Sequence, residues 1–359
     1  MVMKRIFLIL LSIVLVVAVV FGGYAKPALA EEIKLSWAMY FPATLLLSKL
    51  QGDLCREIEK RTDGRVRISY YPGGTLVSST EVLNGVIRGI ADVGYSHSGY
   101  NPGRFLVSEA TGLPIGHTSA WVRSHSVRDF VDKFKPKELD AIHVLWTEGP
   151  TNHCIATTKP VRKLEDLRGL VLRGSGMIAE IETALGATPR DVPMMELYEA
   201  GSRGVVNGSL EACQTLLAFK LAEVFKYNTL SWQVAPGYFW WGGMNKAKWN
   251  TLPSDIQKII AGACDEYTTK VGRVWDEMDI SGLKHAIGRG NEIIKLTPEE
   301  GDRWRVAVRP VIEKYVRTMM AAGFSEKEVR GWIEFIRERN EYWTKKRADL
   351  HIPYVLDYQ

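Results

Sequence analysis

The chain has 359 residues, of which 46% are hydrophobic and 24% are charged, a composition typical of a globular protein. The formal net charge is +5, but three basic residues, Lys4, Arg5 and Lys26, lie in an N-terminal leader without acidic residues, so the rest of the chain is nearly neutral. This balance argues against binding to nucleic acids or membrane surfaces, and the length favours two lobes over a single core.

The first 30 residues have the features of a signal peptide. Lys4 and Arg5 precede an apolar run over residues 6–21, and the small residues of the segment 27–30 predict cleavage after Ala30. The alternative is a membrane anchor, but the run is shorter than the roughly 20 residues that span a bilayer. We therefore expect an exported protein without a membrane anchor.

The next segment predicts the first α/β lobe, over residues 31–150. Residues 31–40 read as a buried strand, and a helix follows because apolar residues recur every fourth position from Leu46 to Ile58. The segment 65–74 alternates as a half-buried strand, and a helix capped by Ser78 or Ser79 precedes a strand over 91–96. This order favours a parallel sheet with right-handed crossovers.

A second unit of the same kind begins near Thr151 and defines a second lobe over residues 151–235. Strands are expected in the segments 152–158, 170–173, 187–192 and 205–212, with helices between them. A segment at about 236–255 is expected to return to the first lobe. Two such lobes enclose a cleft, and ligands in α/β sheets bind at the carboxyl ends of strands.

The remainder of the chain reads as helical. Pro253 and Ser254 open a long helix expected over 252–290, and further helices are expected over 297–359, where Thr297 and Pro298 mark a start.

Recognisable catalytic and metal-binding patterns are absent. The sequence has no His-Glu-x-x-His, Gly-x-Ser-x-Gly, Walker or Gly-x-Gly-x-x-Gly motif. Four cysteines are widely spaced and lack zinc-like spacing: Cys55, Cys154, Cys213 and Cys264. Buried free thiols are the favoured interpretation, and Cys154–Cys213 is the candidate bridge if one forms. We predict no metal, no cofactor and a binding protein in preference to an enzyme.

One cation stands where a buried strand meets a helix. In LEDLRGLVLRGSGMIAEIETALGATP, residues 164–189, an apolar strand ends on Arg173, and Gly174-Ser175-Gly176 leads into a helix. A guanidinium can donate two parallel hydrogen bonds to one carboxylate, which is bidentate binding, and a helix N-terminus favours an anion. Arg173 is therefore a candidate carboxylate clamp, with pairing to an Asp or Glu of its own lobe as the alternative.

The same block carries a family resemblance. It resembles the extracytoplasmic solute-binding proteins of tripartite ATP-independent periplasmic (TRAP) transporters, and the likeness continues through PMMELYEAGSRGVVNGSLEA at 193–212, NKAKWNTLPSDIQKII at 245–260 and the segment 64–100. It covers residues from about Ile33 to Trp304. The resemblance implies a two-lobed α/β fold with a ligand cleft and a lobe-spanning helix. It further implies a periplasmic monomer that closes on a small organic anion and docks on a membrane permease.

The resemblance also implies further ligand contacts. Tyr40 lies at a ligand-contact position, although core packing is an alternative. His97 follows a strand where relatives line the cleft; a partly charged imidazole there would help to hold an anion, and a loop histidine is the alternative. Ser79 either contacts ligand or caps its helix, and capping is favoured.

Other positions depart from the family pattern. His153 lies where sialic-acid-binding relatives have a second arginine, which weakens any assignment of sialic acid. Met194 replaces an aromatic or polar contact, and apolar packing is its alternative. Glu211 could pair with Arg173, bind a ligand hydroxyl or help to hold a cation.

Four consecutive aromatic residues, 238–241, are expected on a lobe-crossing strand, so Tyr238 and Trp240 face one side and Phe239 and Trp241 the other. We favour Trp240 for stacking on a flat ligand. An alternative function is a secreted hydrolase-like enzyme built around His97, His153 and Glu211, or a ligand sensor that uses the same cleft.

Overall fold

The computed structural model describes residues 32–357. The predicted signal peptide, residues 1–30, lies outside the described residues. The strands, in chain order, are β1 (Ile33–Ala38), β2 (Val66–Tyr71), β3 (Val93–His97), β4 (Ile142–Glu148), β5 (Cys154–Thr157), β6 (Val171–Arg173), β7 (Thr188–Arg190), β8 (Gly208–Glu211), β9 (Tyr227–Leu230), β10 (Trp240–Asn245) and β11 (Glu292–Lys295). The α-helices are α1 (Leu46–Arg61), α2 (Val82–Ile87), α3 (Ala120–Phe134), α4 (Gly176–Ala184), α5 (Leu197–Ser202), α6 (Thr215–Ala218), α7 (Lys246–Thr251), α8 (Ser254–Gly288), α9 (Pro298–Ala321) and α10 (Glu326–Asp349).

The strands form two sheets, which define two lobes. The sheet of lobe I has the order β2-β1-β3-β10-β4. Its strands β1, β2 and β3 are parallel, as the sequence pattern indicates, but β10 runs antiparallel to both β3 and β4. The expectation of a parallel sheet is therefore corrected to a mixed one. The chain leaves lobe I after β4 and re-enters it at β10 from the opposite direction.

The sheet of lobe II has the order β11-β9-β5-β8-β6-β7. Strand β6 pairs in parallel with β7 and β8, whereas β5 is antiparallel to β8 and β9. One face packs under α4, with Leu172, Ile178 and Ile181 fully or almost fully buried. Leu172 lies in the middle of β6, so period-2 alternation sends the flanking Arg173 to the opposite face.

The long helix α8 joins the two lobes. It has 35 residues, about 50 Å at the rise of an α-helix. It packs against α1, α3 and β4 of lobe I and against α6 beside the lobe II sheet. The C-terminal helices also bridge the lobes, because α9 packs against α4 and α10 packs against α3.

The buried side chain of Arg123 binds both segments in which the chain passes from one lobe to the other. Arg123 on α3 is 1% exposed. Its two Nη groups donate to the carbonyl oxygens of Thr111, Pro150 and Tyr238, and each N–O distance is 2.9 Å. Pro150 lies between β4 and β5, and Tyr238 lies between β9 and β10. Burial lowers the pKa of Arg123 to about 9. A Cβ at Gly237 would lie 2.4 Å from the Arg123 guanidinium carbon, so a larger residue here would displace the guanidinium from its three carbonyl acceptors.

The four cysteines are buried thiols without a disulfide. Cys154 and Cys213, the pair considered from the sequence, belong to the same apolar cluster of lobe II. Across residues 32–357 the helices are all too short or too polar to cross a membrane.

Candidate functional site

Sheet register places a cation and an acid side by side at the edge of lobe II. Arg173 ends β6 and is the Cα partner of Ser209 on β8. Glu211 is two residues further along β8, so its side chain lies on the same sheet face as that of Ser209. Arg173 Nη1 donates to Glu211 Oε1 at 2.6 Å, and the two side chains are 15% and 11% exposed.

The remaining donors of Arg173 have different surroundings. Its Nε donates to the carbonyl oxygen of Val192 at 2.8 Å, which fixes the plane of the guanidinium. Within residues 32–357, Nη2 has no hydrogen-bond acceptor. Burial acts to lower the pKa of Arg173, but Glu211 and other neighbours outweigh it and raise the pKa. The guanidinium therefore stays charged, with one nitrogen still able to donate.

A second acid lies behind this pair. Glu182 on α4 is 0% exposed, and neither carboxyl oxygen has a hydrogen-bond partner among the described residues. Burial, and then the nearby Glu211, raise the pKa of Glu182 to about 8, so the carboxyl is protonated at neutral pH. A Cβ at Gly174 would lie 2.3 Å from Glu182 Oε2. The glycine after Arg173 thus makes room for this acid.

Aromatic side chains from lobe I and the crossing segment face the Arg173 end of lobe II. We call this set the aromatic wall: Tyr40, His97, Tyr100, Tyr238 and Trp240. The His97 ring centroid lies 4.1 Å from Tyr100, 4.3 Å from Trp240 and 4.8 Å from Tyr238. The charge of Arg173 contributes to lowering the pKa of His97. Arg173 also acts on the pKa of Tyr100 and of Tyr238, so the aromatic wall and Arg173 lie close together although they come from different parts of the chain.

The imidazole of His97 is neutral. Burial and the charge of Arg173 lower its pKa to about 3, which corrects the expectation of a partly charged histidine. The Gly99 backbone N–H donates to His97 Nδ1 at 3.1 Å, so this hydrogen bond assigns the ring proton to Nε2. His97 supplies a neutral donor with no net charge.

Lobe I supports the aromatic wall from behind. Glu148, 0% exposed, accepts hydrogen bonds from the Tyr95 hydroxyl at 2.7 Å and from the indole N–H groups of Trp146 and Trp275. Tyr40 stacks on Tyr95 with ring centroids 5.9 Å apart. Because Tyr95 is held at both its ring and its hydroxyl, Tyr40 rests on a fixed surface.

Comparison with known proteins now identifies the family. Residues 41–318 match the bacterial extracellular solute-binding proteins of family 7, DctP. The chain belongs to this family. A TRAP periplasmic solute-binding protein from Desulfovibrio salexigens is 32% identical, with a TM-score of 0.78, and the match covers 86% of this chain and 96% of that one. That crystal structure is an open complex with the C-terminus of a symmetry mate in the ligand-binding site.

Two more distant relatives are also similar to this chain over most of their length. The C4-dicarboxylate-binding periplasmic protein DctP of Rhodobacter capsulatus is 26% identical over 297 residues, or 79% of this chain and 87% of that protein. A TRAP solute-binding protein from Rhodoferax ferrireducens, solved with copurified benzoate, has a TM-score of 0.77 at 22% identity and covers 86% of this chain and 99% of that one. The two-lobed α/β fold predicted from the sequence is confirmed.

Two residues expected to contact the ligand, His153 and Met194, make contacts with other parts of the protein. His153, 1% exposed, has its Nδ1 2.7 Å from the Thr151 hydroxyl and its Nε2 3.8 Å from Asp279 on α8. Burial lowers its pKa to about 4. Met194 is half-buried and packs on the apolar cluster that includes Cys154 and Ala156 of β5. A ligand role for either residue stays a prediction that none of these contacts supports.

Ser79 does not cap a helix. Helix α2 begins only at Val82, and its cap residue, Glu81, makes no side-chain capping bond. Ser79 instead lies near Tyr100 of the aromatic wall, where its side chain opposes the rise that burial causes in the pKa of Tyr100. The favoured capping interpretation is therefore wrong, because the chain at Ser78–Glu81 forms a turn before the helix starts.

The sequence did not single out two residues of this candidate site, Tyr100 and Glu182. Tyr100 carries no motif, and only the fold brings it against His97. Glu182 did leave a signal: it occupies an inward position of α4, at helical spacing from Ile178 and Leu185. A lone acid on the apolar face of a helix is a site candidate.

Proposed function

We propose that this chain is the solute-binding component of a TRAP transporter, exported to the periplasm, where it captures a small organic acid and delivers it to the membrane permease. The observation that carries the proposal is the Nη2 group of Arg173, a charged donor at the lobe boundary without an acceptor in residues 32–357. The names and ligands of its relatives, a C4-dicarboxylate-binding protein and a benzoate complex, support an acid as ligand.

The physical basis is an ion pair formed in a place with little water. Arg173 is mostly buried, so a ligand carboxylate that reaches Nη2 meets a charge that is weakly screened. The guanidinium plane is fixed by Val192, and the rotational freedom lost on binding is therefore small. The aromatic wall covers the remaining part of the ligand, which favours an acid with an apolar or flat portion.

A thermal-shift screen with carboxylic acids tests the capture step. An acid at about 100 times its Kd stabilises the folded protein by about 2.7 kcal/mol, which raises the melting temperature of the wild type. Arg173→Ala should abolish this rise, and Arg173→Lys should reduce it because an ammonium lacks the planar fork. Arg190→Ala is the matched control, since Arg190 is exposed on β7 as the Cα partner of Arg173. An equal rise in wild type and Arg173→Ala would refute the assignment.

Transport and catalysis are separated by two further measurements. The acid should remain chemically unchanged after prolonged incubation, as judged by chromatography; its consumption would favour an enzyme. Uptake of the labelled acid into vesicles that contain the TRAP permease should require this protein. Binding without uptake would favour the alternative of a ligand sensor.

A further inference from the structure

The pairing of Arg173 with Glu211 restricts which acids the site can accept. Glu211 already accepts a hydrogen bond from Nη1 of Arg173. A ligand carboxylate that approaches Nη2 of the same guanidinium therefore also approaches the carboxylate of Glu211. Glu211 is 9% exposed and fixed on a buried strand. Its carboxylate is therefore held beside Arg173 and largely out of water.

The charges around this point do not compensate a second anion. Arg173 supplies one positive charge, and Glu211 supplies one negative charge when it forms the ion pair. Burial raises the pKa of Glu211, whereas the charge and hydrogen bond of Arg173 act to lower it and so favour the ionised form. The nearby His97 is neutral. The other titratable neighbours, Glu182, Tyr100 and Tyr238, carry no positive charge in any protonation state. A simple carboxylate would therefore leave one unpaired negative charge in a poorly hydrated place, which is unfavourable.

One acceptor in the cluster can relieve this problem. The hydrogen bond from Arg173 uses Oε1 of Glu211, and Oε2 has no donor among the described residues. A hydroxyl or ammonium group on the ligand that donates to Oε2 would convert a repulsive contact into an attractive one.

We propose that the ligand is a carboxylate that also bears a hydrogen-bond donor, a hydroxyl or an ammonium group, and that Glu211 selects it by accepting that donor while Arg173 holds the carboxylate. This inference rests on the proposed function and deepens it, since it concerns the same site. A site built to bind a donor rejects an analogue that lacks one, because a buried acceptor is then left unpaired.

The test uses matched acids on the full mature chain. Calorimetry measures the Kd of propanoate against lactate and alanine, of phenylacetate against mandelate, and of benzoate against 3-hydroxybenzoate. Within at least one set, the donor-bearing acid should bind at least about tenfold more tightly than its parent. Glu211→Met should remove most of this ratio and should strengthen binding of the parent acid, because Arg173 is then fully available to it.

Glu211→Gln provides a second variant in case the Met variant fails to fold. It keeps a neutral acceptor, so lactate should still bind more tightly than propanoate, whereas alanine should lose the advantage that depends on negative charge. Equal affinities within every set in the wild type, or an unchanged ratio in both variants, would overturn the inference while leaving the proposed function intact. Failure of every acid to bind the wild type would overturn both.

Discussion

Asp276 and Asp279 lie one turn apart on α8 and bind backbone amides that belong to different lobes. Asp276 accepts from the N–H groups of Ala120 and Trp121, at the start of α3 in lobe I, and from the Ser119 hydroxyl. Asp279 accepts from the N–H of Gln214, just before α6 in lobe II, at 2.8 Å. Each lobe is thereby fixed to the long helix by a buried carboxyl.

Asp276→Ala should destabilise the protein. Removal of the carboxyl leaves buried amide groups at the start of α3 without acceptors, and each buried unsatisfied group costs about 1–3 kcal/mol. The free energy of unfolding, measured by denaturant titration, should fall by at least about 2 kcal/mol. Glu277→Ala is the control, since Glu277 is the next residue and is exposed. Similar values for both variants would contradict the assigned role.

Glu182→Gln should change how stability depends on pH. The carboxyl has a pKa of about 8 in the folded protein and an ordinary value of 4.5, so the folded state holds a proton that the unfolded state releases first. Stability from this group is therefore fully present below 4.5 and declines as the pH rises to about 8. Glutamine does not titrate, so the variant should be more stable than wild type at the upper end of this range and the difference should disappear at the lower end.

Melting temperatures measured across that range test this expectation. A wild type and variant that differ by a constant amount at every pH would show that Glu182 is not protonated in the folded protein.

Gly237→Ala should destabilise the protein and weaken ligand binding. The new methyl group would lie 2.4 Å from the Arg123 guanidinium carbon, so the hydrogen bonds at the crossing segments must distort. Gly262→Ala is the matched control, because Gly262 lies on α8 with nothing within 4 Å of an added Cβ, and it should stabilise the helix by up to about 1 kcal/mol. Thermal melting compares the two. A Gly237→Ala variant as stable as wild type would contradict the role of Arg123 in fixing the crossing segments.

His97 should remain neutral across the physiological range. Its pKa of about 3, against an ordinary 6.5, predicts that its ring proton resonances will not titrate between about pH 5 and 8 in an NMR experiment. In the Arg173→Met variant the pH midpoint of the His97 titration should move upward, because the positive charge of Arg173 no longer lowers the pKa. A midpoint near 6.5 in the wild type would show that the imidazole is open to water.

Local pattern predicts some parts of this molecule and fails at others for a definable reason. The alternation along residues 238–241 correctly predicts which side chains lie together: Trp240 lies in one apolar cluster, and Phe239 and Trp241 lie in another. Helical periodicity gives α8 to within two residues at each end. These features depend on a burial pattern that a single segment carries by itself.

Other features depend on partners that are distant in sequence. Strand β4 was not predicted, and its neighbour β10 comes from a segment that has already visited lobe II. The lowered pKa of His97 follows from its burial and, to a smaller extent, from the charge of Arg173 in the other lobe. No single segment contains that information, so the protonation states of the site follow from the tertiary fold alone.

Tyr238 connects two regions that otherwise have no residue in common. Its carbonyl oxygen is bonded to Arg123 between the lobes, while its ring lies 4.8 Å from that of His97. Any rotation of the crossing peptide must therefore shift a side chain of the aromatic wall, which is part of the proposed ligand site. Affinity can consequently be tuned by substitutions that never touch the bound acid, and evolution of a new preference need not begin at the residues in direct contact.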